Sequence, residues 1–483
     1  MKRTLSVLSA MLLMGAVMPF AVPTSVGGAE AVGDAAIPFD FDGDGYADLA
    51  VGVADEDLGS VKDAGAVQVL YGSASGPTAR DQLWHQGRKG VRGAVQRHDM
   101  FGETLDSGDF NGDGFADLAV GIPRENVGKP NAGAVQILYG SPTGLTAAGD
   151  QVWHQGSPGV PGRAKKNDRF GSSLTVGDFD DDGYVDLVIG VPWDAQGGVS
   201  HAGRVVVLRG STAGLTADGV QSWSAASAGI AGEPEQDSFF GEHLAAGDVT
   251  GDGHDDLVIS ARGHSATGNV DGEVHLLLGS GSGLTSDGSQ HFLLATLGED
   301  TSGTVNSLWL GDVNADGYFD LASATYNRID LLHGHAYGVD PGPLLAPCQP
   351  GTDCSWAGFG STVASADVTG DGYPDLVITA GLGSGPINVA VGTADGLGAA
   401  LVRWPEMSAW GQPNILPLSG GSHAWIVLGN WTDDVGGKRH AGSVTVLRGT
   451  RAGTPGPTTT WSQNSPGIRD RAEKGDEFGR TVG

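Results

Sequence analysis

DFNGDGFADLAVG, from Asp109 to Gly121, places acidic or amide side chains at its first, third, fifth and ninth positions (Asp109, Asn111, Asp113, Asp117). Glycine holds the sixth position (Gly114), and an apolar run starts at Leu118. Oxygen donors at alternating positions around a glycine-permitted bend are what a hard cation such as Ca²⁺ requires. An EF-hand would carry a bidentate glutamate at the twelfth position, but here and in the copies that follow that position holds Val51, Val120, Ile189, Ile259, Ser323 or Ile378. The loop is therefore expected to join two strands rather than two helices. Its ninth-position aspartate closes the ligand shell instead.

Five further copies occur along the chain. Their donor positions are Asp40, Asp42, Asp44 and Asp48; Asp178, Asp180, Asp182 and Asp186; Asp248, Thr250, Asp252 and Asp256; Asp312, Asn314, Asp316 and Asp320; and Asp367, Thr369, Asp371 and Asp375. Asp/Gly runs are commonly solvated turns, but six copies in register point to up to six Ca²⁺ sites. The two loops with threonine at position three are expected to bind more weakly. At tenfold its Kd, each independent ion adds about 1.4 kcal/mol. Six would contribute on the order of 8 kcal/mol, comparable with the stability of a whole domain.

Work outward from these loops and the chain becomes a repeat protein. Loop starts lie between 55 residues (312 to 367) and 70 residues (178 to 248) apart. In the second unit FGETLDSGD (Phe101 to Asp109) reads as a strand and LAVGI after the loop as the next. GAVQILYG (Gly133 to Gly140) is a third and DQVWHQ (Asp150 to Gln155) a fourth. Four strands per repeat make one blade of a β-propeller. The fold class is thus all-β, a propeller of four-stranded blades. A seventh unit begins at Trp425 and aligns with Leu118 onward, but Asn414 to Gly421 stands where its loop would be, so blade seven is expected to bind no calcium. The C-terminal EFGRTVG (Glu477 to Gly483) matches the first strand that the opening unit lacks. It is expected to pair into blade one and close a seven-bladed ring, removing open sheet edges.

Met1 to Ala31 reads as a secretory signal, with Lys2 and Arg3 at its start, an apolar core from Leu5 to Val17 and the small-residue site Ala29-Glu30-Ala31. Residues 32–483 then form a single propeller domain, and no later run is apolar enough to span a bilayer. A secreted, extracellular protein follows, in which Cys348 and Cys354 of CQPGTDC are expected to form a local disulfide. The formal net charge is −30, and twenty carboxylates stand at loop ligand positions. That acidity belongs to metal chemistry and argues against nucleic acid as a partner.

The FG pairs at Phe101-Gly102, Phe170-Gly171, Phe240-Gly241, Phe359-Gly360 and Phe478-Gly479, with the turns Gly121-Ile122-Pro123 and Gly190-Val191-Pro192, carry a family resemblance. From Ile37 to Gly483 the chain resembles the FG-GAP repeats of the integrin α-subunit N-terminal β-propeller and of secreted bacterial FG-GAP/VCBS proteins. That resemblance implies Ca²⁺ in the loops between strands one and two, on one face of the ring. Unit five departs from it, with Leu308-Trp309 in place of FG.

On the opposite face the loops leading from one blade to the next are basic in three places. These are Arg88, Lys89, Arg92 and Arg97; Arg163, Lys165, Lys166 and Arg169; and Arg469, Arg471 and Lys474. Ring closure would make the three loops neighbours. Together they suit an extracellular anionic polysaccharide or a protein partner, although nearby acids (Asp99, Asp168, Asp470, Glu473) also fit a reading of ordinary solvated loops. Trp84, Trp153, Trp223 and Trp461 recur in the fourth strand, a position better suited to packing between blades than to gripping sugars. The chain contains no HExxH, GxSxG or Walker motif, so no catalytic residue is assigned. The expected function is a calcium-binding adhesion or binding module. The alternative is an extracellular hydrolase or polysaccharide lyase working in the central funnel, by likeness to propeller enzymes or to the propeller part of glycosylphosphatidylinositol-specific phospholipase D.

Overall fold

The computed structural model describes residues 36–264, 270–294, 304–325, 328–345, 359–380, 386–393, 396–398, 401–408, 413–416, 425–451 and 453–483. The expected signal segment and both cysteines lie outside these residues. Within the unit Gly33–Gly483, the described residues build seven four-stranded antiparallel sheets. Blade II is the template, with strands β4 (Thr104–Gly108), β5 (Asp117–Ile122), β6 (Ala134–Tyr139) and β7 (Thr146–Trp153) in sequential order. Blades III to VII repeat that order.

Blade I instead has the order β28-β1-β2-β3. Its innermost strand is β28 (Thr481–Val482), which pairs with β1 (Leu49–Val53) through Val51↔Val482 and Gly52↔Thr481. Reciprocal backbone bonds between Ala50 and Gly483, at 2.7 and 2.8 Å, extend this pairing. The C-terminal strand closes the ring as its sequence required.

The burial pattern explains why each strand looks as it does. β5 (DLAVGI) and β6 (AVQILY) are buried along their whole length, because neighbouring blades cover both faces. They therefore read as continuous apolar runs rather than alternating ones. β7, on the outer rim, is half exposed.

Two expected boundaries move. The strand placed at Phe101 starts at Thr104, and the fourth strand begins at Thr146 rather than Asp150. The first shift has a cause outside the repeat itself. Phe101 is fully buried and makes a parallel bridge to Gly65 of the preceding blade, its N–H donating to Ala64 O at 3.1 Å. Phe170 and Phe240 repeat this with Gly133 and Gly203. At Gly133 (φ 85°) a Cβ would run into the backbone of Phe170, so only glycine lets the blades come this close. The FG pair is thus a rung between blades. In blade VI, by contrast, Phe359 opens the strand itself (Phe359–Ala366). In blade VII Asn414 to Leu416 belongs to the innermost strand Pro413–Leu416, so the interval before Trp425 starts later than the sequence suggested.

The recurring tryptophans pack as expected. Trp84 is buried in the core between blades, and Trp153, Trp223 and Trp461 lean against separate parts of it.

Candidate metal loops and the two faces of the ring

In blades II to VI each acidic loop links the first and second strands, in blade I it leads into β1, and every one folds around its first aspartate. In blade II, Asp109 Oδ1 accepts the N–H groups of Gly112 (2.7 Å) and Asp113 (3.1 Å), and Oδ2 accepts Gly114 N–H (2.8 Å). Asp40, Asp178, Asp248, Asp312 and Asp367 take N–H groups at the matching positions. The ninth-position aspartate is buried and ties the loop to the end of the third strand. Asp117 accepts Phe110 N–H (3.0 Å) on one oxygen and Gly140 N–H (2.8 Å) on the other. Asp48, Asp256, Asp320 and Asp375 repeat this double bond. Each carboxylate oxygen has two acceptor sites, so these bonds leave capacity for a metal.

Burial dominates the electrostatics of the ninth position. It pushes Asp48 and Asp117 up to about 8, Asp186 and Asp256 to about 7, and Asp375 to about 6. Neighbouring loop carboxylates push the same way. Buried anions crowded together call for a cation. The third position fits one: Asp42 Oδ1, Asp180 Oδ1 and Thr250 Oγ1 are buried and have no hydrogen-bond partner. In two loops three carboxylates bring one oxygen each within 4.8 Å of the others, Asp40, Asp42 and Asp48 in one and Asp178, Asp180 and Asp182 in the other. The oxygen-only donor set suits Ca²⁺. Asn314 is partly engaged, its amide donating to Asp316 Oδ2 at 2.9 Å.

Sequence reasoning missed the cations that stand inside some of these loops. Where blades I and II carry Tyr71, just past the third strand, and Tyr139, at its end, blade III has Arg209. Its guanidinium pairs with Asp180 and lies 3.1 Å from Asp186 Oδ2. In blade V, His333 Nδ1 lies 3.1 Å from Asp320 Oδ1, and in loop I Arg80 pairs with Asp42. These loops are linked to one another as well. The carbonyl of each first aspartate accepts the position-eight N–H of the next loop: Asp40 from Ala116, Asp109 from Val185, Asp178 from Asp255 and Asp248 from Phe319. Loop VI has Pro374 at position eight and no N–H to give.

The basic loops lie on the other face, and each grips the blade that follows. Arg469 backs onto Asp81 with both its N–H (2.8 Å) and its guanidinium (3.2 Å). Arg92 does the same with Asp150 at 2.6 and 3.2 Å. Lys165 pairs with Asp194 at 2.6 Å. Arg88 and Arg169 lie over the rings of Trp84 and Trp193, at 3.7 and 4.3 Å. Because Asp81 opens the strand that leads into the Arg88 loop, the clasp from Arg469 sets the first and last of the three loops side by side, and burial with the neighbouring Arg469 charge lowers the Arg88 pKa. Five of the eleven predicted cations thus serve as local clasps. Lys89, Arg97, Arg163, Lys166, Arg471 and Lys474 are exposed.

At the ring axis a cavity of about 390 Å³ is lined by Glu103, Glu242, His243, Arg480 and hydroxyl residues of the innermost strands. Its side chains are largely committed to holding strands together. Glu242 binds Arg262 through two bonds of 2.9 and 2.6 Å, and Thr104, Ser173 and Thr481 donate to carbonyls of the next blade. Among the described residues, no helix is long and apolar enough to cross a membrane.

Five stretches of the chain match the FG-GAP repeat, at residues 33–70, 101–138, 170–208, 240–277 and 359–402. Integrin alpha-5 of Xenopus laevis is 30% identical over 225 residues, covering 44% of this chain and 20% of that protein. Phosphatidylinositol-glycan-specific phospholipase D of Rattus norvegicus is 35% identical over 163 residues, 33% of this chain and 18% of the enzyme. The chain spans about a fifth of the length of these relatives. Among solved structures, the rhamnogalacturonan lyase PL11 of Bacillus licheniformis aligns with a TM-score of 0.38 at 14% identity, over 85% of this chain and 70% of that one.

Proposed function

Because the chain is an FG-GAP repeat protein with an integrin-α-like propeller, we propose that it is a secreted, calcium-stabilised binding module. In this reading one face of the ring holds metal and the other meets an extracellular ligand. The observation that carries the calcium half is the set of buried, unpartnered position-three oxygens, Asp42 Oδ1, Asp180 Oδ1 and Thr250 Oγ1, each in a loop whose buried ninth aspartate needs a positive charge. Aspartates at positions one, three, five and nine, with Asn111, Asn314, Thr250 and Thr369 at position three, would hold the ion. Ca²⁺ would supply positive charge and cross-linking to the loops. No catalytic step is routed through it.

For the ligand face, the six exposed cations on three neighbouring loops favour an anionic polymer, with a protein partner as the other class. The test is retention on immobilised anionic polysaccharide in Ca²⁺, eluted with salt. Wild type is compared with a variant in which Lys89, Arg163, Lys166 and Arg471 become Glu, residues free of the structural clasps. Retention by wild type and flow-through by the variant is the expected result. Equal flow-through of both at low salt would overturn the anionic-ligand reading. Unchanged melting on addition of EDTA would overturn the calcium half independently.

A further inference from the structure

Blade IV holds a chemically different cluster, away from the acidic loops. Its third strand, β14 (Val270–Leu278), carries Glu273 and His275 two residues apart, hence on one face of the sheet. Its fourth strand, β15 (Thr285–Leu293), places His291 directly opposite His275. The two imidazoles stack with centroids 4.6 Å apart and planes 21° from parallel. Glu273 Oε2 lies 3.7 Å from His275 Nε2 and 3.5 Å from His291 Nε2.

These separations are too long for hydrogen bonds, which fall at about 2.7–3.2 Å for nitrogen and oxygen. They lie a few tenths of an ångström above what a tetrahedral Zn²⁺ imposes, and one ligand atom from each of the three side chains stands within 4.8 Å of the others. With Zn–N and Zn–O near 2.0–2.1 Å, two of its ligand atoms stand about 3.3 Å apart. Two independent features agree. His291 Nε2 is buried without a hydrogen-bond partner, although a buried ring nitrogen ordinarily finds one. In addition, a Cβ at Gly263 on the adjoining strand would land on Glu273 Oε1, so a glycine there makes room for the carboxylate.

The other blades show that the fold itself does not ask for these residues. At the position of His275, blades I and II carry Gln68 and Gln136, whose amides donate to Asp81 (2.7 Å) and Asp150 (2.8 Å). At the position of His291 they carry Leu83 and Val152, and at that of Glu273 they carry Ala66 and Ala134. In blade IV the partner aspartate has become Ser289, which donates instead to Gly229 O. The glutamine-aspartate pair has been replaced by a nitrogen-rich donor set.

We propose that Glu273, His275 and His291 bind a divalent transition-metal ion, with Zn²⁺ as the occupant that two imidazoles and one carboxylate favour. Ca²⁺, which takes six to eight oxygens, does not suit the cluster. Three protein ligands leave a fourth position for water or an incoming donor. The ion would staple the third and fourth strands of blade IV beside blade III.

The test is calorimetric titration of the Ca²⁺-saturated full chain with Zn²⁺, with Co²⁺ as an optical substitute. Wild type is expected to take up one tight equivalent of Zn²⁺ and to give Co²⁺ the intense visible bands of a tetrahedral site. The double variant His275→Gln with His291→Val carries residues that blade II already tolerates. It should lose that equivalent while melting as wild type does without Zn²⁺. Should the pair not fold, Glu273→Ala serves instead, with Zn²⁺ affinity lowered at least tenfold. No tight Zn²⁺ equivalent in wild type, or undiminished uptake by the variants, would overturn the proposal.

Discussion

Arg209→Tyr gives blade III the residue that blades I and II carry at the equivalent position, Tyr71 and Tyr139. In the present chain the Arg209 guanidinium is almost buried and rests on two carboxylates, Asp180 and Asp186, that the calcium reading assigns to the ion. Ca²⁺–oxygen distances are about 2.3–2.6 Å. A cation bonded to the same carboxylates therefore sits roughly 5 Å from the guanidinium charge. A +1 and a +2 charge at that distance repel by about 1.7 kcal/mol even at the dielectric constant of water, and by more in a partly buried loop. Removing the arginine should tighten this loop for Ca²⁺ by roughly 15-fold or more. In calorimetric titration the affinity of one site should rise by that factor, with total stoichiometry unchanged. If affinity is unaltered or falls, the arginine is not a competitor of the metal, and the assignment of Asp180 and Asp186 as ligands loses its basis.

Metal-free protein should lose stability as pH rises. The ninth-position carboxyls hold protons up to about 6–8 in the fold but release them near 3.8 when unfolded. The folded state therefore binds more protons across that window. The melting temperature in EDTA should fall between about pH 5 and pH 8.5, while saturating Ca²⁺ should flatten or reverse the trend; a rise with pH in EDTA would contradict it. Asp117→Asn should remove one calcium equivalent and lower the melting temperature in Ca²⁺ more than in EDTA. Gly133→Ala puts a methyl group into the Phe170 backbone at positive φ and should cost about 3–4 kcal/mol by denaturant unfolding. Phe101→Ala, at a fully buried rung, should cost about 3–5 kcal/mol, and a loss below 1 kcal/mol would show that the rungs do not hold the blades together.

The propeller was legible because its signals are local and repeated. A strand, an acidic bend and two apolar strands recur six times, and the unmatched strand at Glu477 to Gly483 complements an opening unit that lacks one. What stayed hidden depends on contacts between residues far apart in sequence, across blades or between strands of one blade. Phe101 looks like the start of a strand because it is apolar and precedes one, yet it is held by Gly65 of the previous blade. Arg209 lies 23 residues beyond Asp186, at a position where nothing local marks it as part of a loop. The Glu273, His275 and His291 set could have been suspected by aligning the blades strand by strand, since its positions in blades I and II hold alanine, glutamine and an apolar residue. The basic loops were legible as charge, but not as clasps. Asp81, Asp150 and Asp194, which hold three of their cations, belong to the neighbouring blade.

The carbonyl-to-amide contacts between acidic loops turn the lower face into a one-dimensional array. Loops I to V are joined by four such links, and Pro374 ends the series before loop VI. In an array of this kind each unit's free energy depends on its nearest neighbours. Rigidifying one loop lowers the ordering cost of the next. Occupancy should then spread along the rim like a closing zipper, with a titration steeper than independent sites allow. Loop VI would fill on its own schedule, as a separate shallow step. Substituting Pro374 with alanine would offer the missing amide and lengthen the array by one unit.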